Sequence, residues 1–139
     1  MDYYSHKSEE EREKFIIVGE TVTELLKKAL QDLKKAKGWS KIDLIGGGWL
    51  STSEKQKFMQ RAKAYVADAV DIMEKYGREY KSVAYGLGTS ALETNNSLGN
   101  ADYGSHDRYV DSVMNERIVG AMETIESAIS KIEDLMAGI

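Results

Sequence analysis

The chain has no cysteine and no proline among its 139 residues. The lack of cysteine excludes disulfides, thiolate metal sites and a cysteine nucleophile, and it is compatible with a reducing cytoplasm. The lack of proline removes the strongest breaker of an α-helix. Glycine is the breaker that remains, and it gathers at 46–48 and again at 86–104. This punctuation divides the chain into three long segments.

Long apolar runs are missing as well. No stretch approaches the roughly 20 apolar residues of a membrane span, and the beginning of the chain lacks the apolar core of a signal peptide. We therefore expect a cytoplasmic protein that does not enter a membrane, with secretion by a route without a signal peptide left open. The length fits a single helical domain over residues 1–139.

Apolar residues recur three or four positions apart in each segment, as they do along one face of an α-helix. The spacing predicts helices over about residues 8–37, 53–85 and 105–137. All three stripes approach the heptad spacing of packed bundles. The fold class is therefore expected to be all-α, an elongated antiparallel bundle of three long helices. The apolar surface that such a slim bundle leaves exposed favours pairing with a second copy.

The first and third segments have well-defined stripes. The first is expected to begin at a capping box of Ser8 and Glu11 and to stop at Gly38. Its stripe contains Phe15, Val18, Val22, Leu25, Ala29, Leu33 and Ala36. The stripe of the third contains Val110, Met114, Ile118, Met122, Ile125, Ile129, Ile132 and Met136.

The second segment is expected to begin at Ser51 or Ser53, because either serine is followed three residues later by the Glu or Gln of a capping box. Gly77 lies within the predicted helix at a cost of about 1 kcal/mol, and it marks either a close helix contact or a local weak point. The stripe contains Phe58, Ala62, Tyr65, Ala69, Ile72, Tyr76, Tyr80 and Val83, and it is widened by Met59, Val66, Val70 and Met73.

Positive charge is concentrated between Lys27 and Lys63, where ten Lys or Arg residues face three carboxylates, although the whole chain has a net charge of −4. An up-down-up bundle would place the end of the third helix, with Glu133 and Asp134, beside this basic stretch. Much of the charge asymmetry would then be matched internally. Together with the acidic overall charge, this argues against nucleic acid as a partner.

The connection over residues 38–50 is unusually apolar for a loop, since such segments are normally polar and exposed. The favoured interpretation is that its two tryptophans plug the end of the bundle, because tryptophans beside helix ends are usually buried. A docking surface for a partner or small ligand is the alternative, and an anion site is a third, because N–H groups at a helix start attract anions. The candidate interaction or ligand residues are Trp39, Asp43, Gly46, Gly47, Gly48, Trp49 and Lys55.

Within this connection Trp39, Asp43 and the run Gly46-Gly47-Gly48, placed between two long helices, resemble the turn of bacterial helical-hairpin proteins to which no activity is assigned. The resemblance covers about residues 30–80. It implies a bacterial or phage source and a structured turn, and it carries over no functional residue.

Catalytic and metal-binding patterns are few. The only histidines are His6 and His106, and neither has a Glu three residues before it, as a di-iron bundle requires. No cofactor or metal is expected. The connection over 86–104 is interpreted as flexible, with a lid or binding segment as the alternative. The leading hypothesis is a non-catalytic, self-associating protein-interaction or structural module of bacterial or phage type. The alternatives are a small-ligand or anion-binding protein that uses the turn at 38–53, and an enzyme of unrecognised type.

Overall fold

The computed structural model describes residues 8–43, 48–87 and 108–138, and it describes side chains at 8–38, 54–87 and 116–138. This part of the chain is all-helical, which confirms the predicted class. Its four α-helices are α1 (Glu9–Asp43), α2 (Gly48–Tyr76), α3 (Lys81–Leu87) and α4 (Arg108–Ala137), with a 3₁₀ turn (Arg78–Tyr80) between α2 and α3. The prediction of three long helices is therefore incomplete by one short helix.

Helix α1 begins as predicted and ends later. The Glu11 N–H donates to Ser8 Oγ over 3.1 Å, which is one of the two hydrogen bonds of a capping box. The glycine at position 38 predicts a stop, but α1 continues to Asp43. A glycine inside a helix costs only about 1 kcal/mol relative to alanine, and α1 continues through Gly38 despite this cost.

Helices α1 and α2 form the most extensive contact of the fold and run antiparallel. Lys35 Nζ lies 5.6 Å from the Phe58 ring centroid, and Lys28 Nζ lies 6.0 Å from that of Tyr65. Residue numbers therefore fall along α1 as they rise along α2. The pair has a basic end (residues 27–38 and 54–63), with nine Lys or Arg against two carboxylates, and an acidic end (residues 9–24 and 68–76), with nine carboxylates against three Lys or Arg.

The predicted helix over 53–85 is interrupted at Gly77, which has φ −128° and ψ 79°. A Cβ at this position would collide with the Tyr80 ring, so the missing side chain lets Tyr80 fold back against the end of α2. The chain then reverses and continues as α3, which packs on both α2 and α4. Of the two interpretations of Gly77 drawn from the sequence, the structure supports the close contact.

Tyr80 ties this reversal to the start of α1. Its side chain is fully buried, its ring stacks on that of Phe15 with 4.6 Å between centroids, and its hydroxyl donates to the Phe15 carbonyl oxygen over 2.9 Å. A Cβ at Gly19 would lie 2.5 Å from the Tyr80 hydroxyl oxygen and 2.6 Å from Met136 Sδ. Three helices therefore meet here, and Gly19 allows their close approach.

Helix α4 runs antiparallel to α1, because Met136 near its end lies against Gly19 near the start of α1 while the two helices pack along each other. The up-down-up order predicted from the sequence is wrong. The extra reversal at Gly77 inserts α3 between α2 and α4, so the direction of the last helix is inverted. Glu133 and Asp134 consequently lie at the acidic end, and they do not neutralise the basic end.

The core confirms most of the α1 stripe but shifts that of α2. The buried residues of α2 include Ala62 and Ala69, which the predicted stripe contains, together with Met59, Val66, Val70 and Met73, which the sequence assigns to its margin. Phe58, Tyr65 and Ile72 are only partly buried, and Tyr76 is 59% exposed. On α1 Leu26, rather than Leu25, completes the buried row.

Candidate functional site

Most of the candidate residues of the turn have side chains that lie outside the described part of the structure. Trp39 and Asp43 belong to the final turns of α1, and Gly48 and Trp49 open α2 ahead of the predicted capping serines. The side chains of these residues, and both Gly46 and Gly47, lie outside the described residues. The helices thus extend into the 38–50 connection from both sides, and whether its tryptophans plug the bundle or dock a partner stays a prediction.

Lys55 is the one candidate whose side chain is described, and it is fully buried. Its ammonium group therefore faces the interior at the basic end, where a free anion in solution does not reach it. Water does not solvate a charge buried in this way, so its burial costs free energy unless other groups of the fold compensate for it. The structure thus brings Lys55 into the core rather than to the surface of the turn.

A second interior charge at the basic end was not anticipated from the sequence. Asp32 is 2% exposed, and its Oδ2 lies 3.6 Å from Nε of the half-exposed Arg61. The signal was present in the spacing, because Asp32 falls between Ala29 and Ala36 on the core stripe. The ion pair joins α1 to α2.

A groove between α1 and α2 is lined by residues of these two helices. It has a volume of about 420 Å³ and is lined by Thr21, Glu24, Leu25, Lys28, Asp68, Asp71 and Ile72. We call the surface that follows this groove, from Phe58 to Tyr76 on α2 and from Lys35 to Ile17 on α1, the outer face.

Two large apolar side chains are exposed where the outer face reaches the acidic end. Ile17 is 61% exposed and Tyr76 is 59% exposed. Moving eleven residues along each helix from the Lys28–Tyr65 contact, which is three helical turns, places Ile17 level with Tyr76 on the same side. They extend the row of half-buried Leu25, Tyr65 and Ile72, so an apolar strip runs along the groove.

Charge is segregated along the outer face. Near the basic end it carries Lys28, Lys35, Lys57 and Arg61, and near the acidic end it carries Glu24, Asp68 and Asp71. Arg61 Cζ and Lys35 Nζ both lie within 6 Å of the Phe58 ring centroid, so these cations border an aromatic surface. Two ion pairs reduce this separation of charge. Lys28 Nζ lies 3.9 Å from Glu24 Oε1, and Lys75 Nζ lies 3.3 Å from Asp71 Oδ2. Exposed pairs of this kind contribute little and stay available to another partner.

A second groove, of about 340 Å³, separates α3 from α4 and is lined mainly by small and polar residues, among them Ser82, Gly86, Gly120 and Thr124. Within residues 8–38, 54–87 and 116–138, no group of three or more His, Cys, Asp or Glu side chains is placed to hold a metal ion. None of the described helices combines the length and the apolar character needed to cross a membrane.

Sequence reasoning missed the outer face because it assigned Tyr76 to the core stripe and gave Ile17 no role. A usable signal was the apolar run Phe15-Ile16-Ile17-Val18, which is too wide for one helical face and therefore leaves one member exposed. Comparison with known proteins adds no assignment, because no protein-family model, no curated protein and no solved structure matches this chain.

Proposed function

We propose that this chain is a non-catalytic helical protein-interaction module that docks a protein partner on the outer face of α1 and α2. The observation that carries the proposal is the exposure of Ile17 and Tyr76 in line with the half-buried apolar residues of the groove. Single exposed apolar residues are ordinary, but a contiguous apolar strip bordered by charges is typical of a docking surface. A cytoplasmic location and a bacterial or phage source belong to the same proposal.

The shape of the outer face favours a helical partner. Two antiparallel helices form a long, shallow groove, and a third helix can lay its apolar side into such a groove with anchors every three or four residues. The apolar residues of α2 on this face, Tyr65, Ile72 and Tyr76, are seven and four residues apart, which places them on one side of the helix. Small ligands instead prefer concave pockets that enclose most of their surface.

Photo-crosslinking tests this proposal directly. A benzophenone amino acid replaces Tyr76 in one variant and Tyr85, which is 74% exposed on α3, in a matched control. Each protein is irradiated alone and with an extract of the source organism. We expect a discrete protein adduct from position 76 and none of comparable yield from position 85.

The absence of any protein adduct from position 76 under both conditions, with the variant folded, would overturn the proposed function. Equal adduct yields from the two positions would also count against it, because they would indicate that exposure alone, rather than the outer face, determines crosslinking.

A second candidate, binding of a small anion beside the turn at 38–53, has one supporting observation. The basic end carries nine Lys or Arg against two carboxylates, one of which, Asp32, is buried. Titration with inorganic phosphate, followed by amide NMR shifts, tests it. Saturable shifts confined to the basic end that disappear in a Lys34→Glu and Lys37→Glu double variant would support this candidate, and unsaturable shifts spread over the chain would eliminate it.

A further inference from the structure

We infer that the partner seated on the outer face is a second copy of this chain, docked antiparallel to the first. The inference rests on the proposed function, because it names the occupant of the same surface. It is carried by the way charge is arranged along that surface, which a second copy matches in one orientation and opposes in the other.

The two ends of the outer face carry charge of opposite sign. Lys35, Lys57 and Arg61 lie near one end of the outer face, and Asp68 and Asp71 lie toward the other. Two copies docked in parallel would bring like charges together, which is destabilising. An antiparallel copy brings the basic part of each face onto the acidic part of the other. The same inversion matches the wider basic and acidic ends of α1 and α2.

The symmetry of such a pair is a two-fold axis that lies in the interface and crosses the helices at right angles. It places α1 against α1 and α2 against α2. Because the outer face extends from Phe58 to Tyr76 on α2, full overlap puts each Tyr76 beside Phe58 and Arg61 of the second copy. The exposed tyrosine is then covered by an aromatic ring and a guanidinium, which is a favourable cation–π environment.

The apolar residue on α1 is covered in the same way. Ile17 and Lys35 are the two ends of the outer face on α1. In the antiparallel pair the Ile17 side chain of one copy meets the methylene stem of Lys35 in the other, whose ammonium group stays in water. Both exposed apolar residues of the face are therefore buried by a single symmetric contact.

The size of the face predicts a weak dimer. Nineteen residues of α2 from Phe58 to Tyr76 span about 27 Å, and two helices are about 20 Å wide, so each copy contributes about 540 Å². The total of about 1,100 Å² lies at the lower end of specific interfaces. We therefore expect a dissociation constant in the micromolar range that rises with salt.

Sedimentation equilibrium provides the first measurement. Across loading concentrations from about 5 to about 500 μM, we expect a monomer–dimer equilibrium whose dissociation constant rises about tenfold between low and high salt. The Tyr76→Ser variant should weaken the dimer at least about tenfold, whereas Tyr85→Ser, which removes an exposed tyrosine outside the face, should change it less than about threefold.

A charge exchange tests whether complementary charge on the outer face holds the two copies together. One variant carries Lys35→Glu with Lys57→Glu, and the other carries Asp68→Lys with Asp71→Lys; all four side chains are exposed, so both variants should fold. Each variant alone gives the outer face charges of mostly one sign, so two copies of it repel each other, whereas a one-to-one mixture sets a mostly negative face against a mostly positive face. We expect each variant to be monomeric where the native chain dimerises and the mixture to form a heterodimer.

The outcomes separate this inference from the proposed function. A chain that stays monomeric at the highest concentration, a dimer indifferent to Tyr76→Ser, or a variant mixture that fails to associate would overturn the inference. If position 76 still crosslinks to a different protein in the extract, the docking function stands without self-association. If position 76 crosslinks to nothing, both the docking function and the self-association are overturned. A crosslink at position 76 between two copies of the purified chain, absent at position 85, supports both.

Discussion

The two ends of the α1–α2 pair are closed by different interactions. At the acidic end the buried Tyr80 ring stacks on Phe15, and the Tyr80 hydroxyl donates to a backbone carbonyl oxygen. At the basic end the interior contains ionisable side chains, Asp32 and Lys55. An apolar closure needs no counter-charge, whereas a buried charge depends on its partner to offset the loss of water. The comparison indicates that the acidic end contributes more of the stability and that the basic end is more sensitive to changes at its surface.

The largest expected effect comes from removing the closure of the acidic end. Tyr80→Ala deletes a fully buried ring and its hydrogen bond to Phe15, so the free energy of unfolding should fall by about 3–5 kcal/mol. Tyr76→Ala, four residues earlier and 59% exposed, should change it by less than about 0.5 kcal/mol at concentrations where the chain is monomeric. Urea unfolding followed by circular dichroism measures both, and similar losses in the two variants would contradict the assigned role of Tyr80.

A pair of glycines tests how closely the helices approach at the same end. Gly19→Ala places a Cβ 2.5 Å from the hydroxyl oxygen of Tyr80, which is held by Phe15 and cannot move away freely. We expect a net loss of about 1–2 kcal/mol in the free energy of unfolding.

The matched control is Gly120→Ala in α4, where no atom lies within 4 Å of the new Cβ. This variant should gain up to about 1 kcal/mol from the better helix propensity of alanine. The two alanines should therefore shift the denaturation midpoint in opposite directions, and a gain in both would show that the packing of Tyr80 and Met136 against Gly19 is loose.

Local patterns in the sequence predict the helices, and long-range contacts decide what the local patterns leave open. The stripe of α1 was recognisable because Phe15, Val22 and Leu33 follow a period that depends on neighbouring residues alone. The reversal at Gly77 was not, because it depends on Tyr80 binding a carbonyl 65 residues earlier in the chain. The direction of α4 follows from that reversal, so it was predicted wrongly together with the charge matching at the basic end.

The candidate site likewise combines features that local patterns predict with features that depend on long-range contacts. The excess of Lys and Arg in the basic stretch could be read from the sequence, but its separation from the acidic end of α4 could not. Tyr76 lies on the same periodic row as Phe58 and Tyr65, and its exposure to solvent could not be read from that period, because it depends on how α2 packs in the folded chain. Burial of Asp32 was visible in its spacing, whereas its partner Arg61 required the antiparallel register of α1 and α2.

Breaking the Asp32–Arg61 ion pair should weaken the basic end. Arg61→Met keeps the stem of the side chain but leaves the Asp32 carboxylate buried without its counter-charge, so we expect a loss of about 1–3 kcal/mol in unfolding free energy. The lower part of the range for buried pairs applies because Arg61 is half exposed. Lys57→Met, one turn earlier and exposed, should change stability by less than about 0.5 kcal/mol.

The reciprocal variant sharpens the test. Asp32→Asn removes the buried charge and leaves Arg61 free to reach water, so it should cost less than Arg61→Met. Combining the two changes should cost less than the sum of the single losses, because the variants share one interaction. Strict additivity in chemical denaturation would show that the 3.6 Å contact contributes nothing to the basic end.

The smallest expected effect lies at the cap of α1, beyond the closure that Tyr80 provides. Ser8→Ala removes the oxygen that accepts the Glu11 N–H, and exposed N-caps of this type contribute about 1 kcal/mol or less. The loss should be local, because Phe15, two turns further along, already fixes α1 to Tyr80. Hydrogen exchange of backbone amides measures this: Glu11 and Arg12 should exchange faster in the variant, while amides beyond Phe15 keep their protection. Faster exchange that extended past Phe15 would mean that the acidic end is held by the cap as well as by Tyr80.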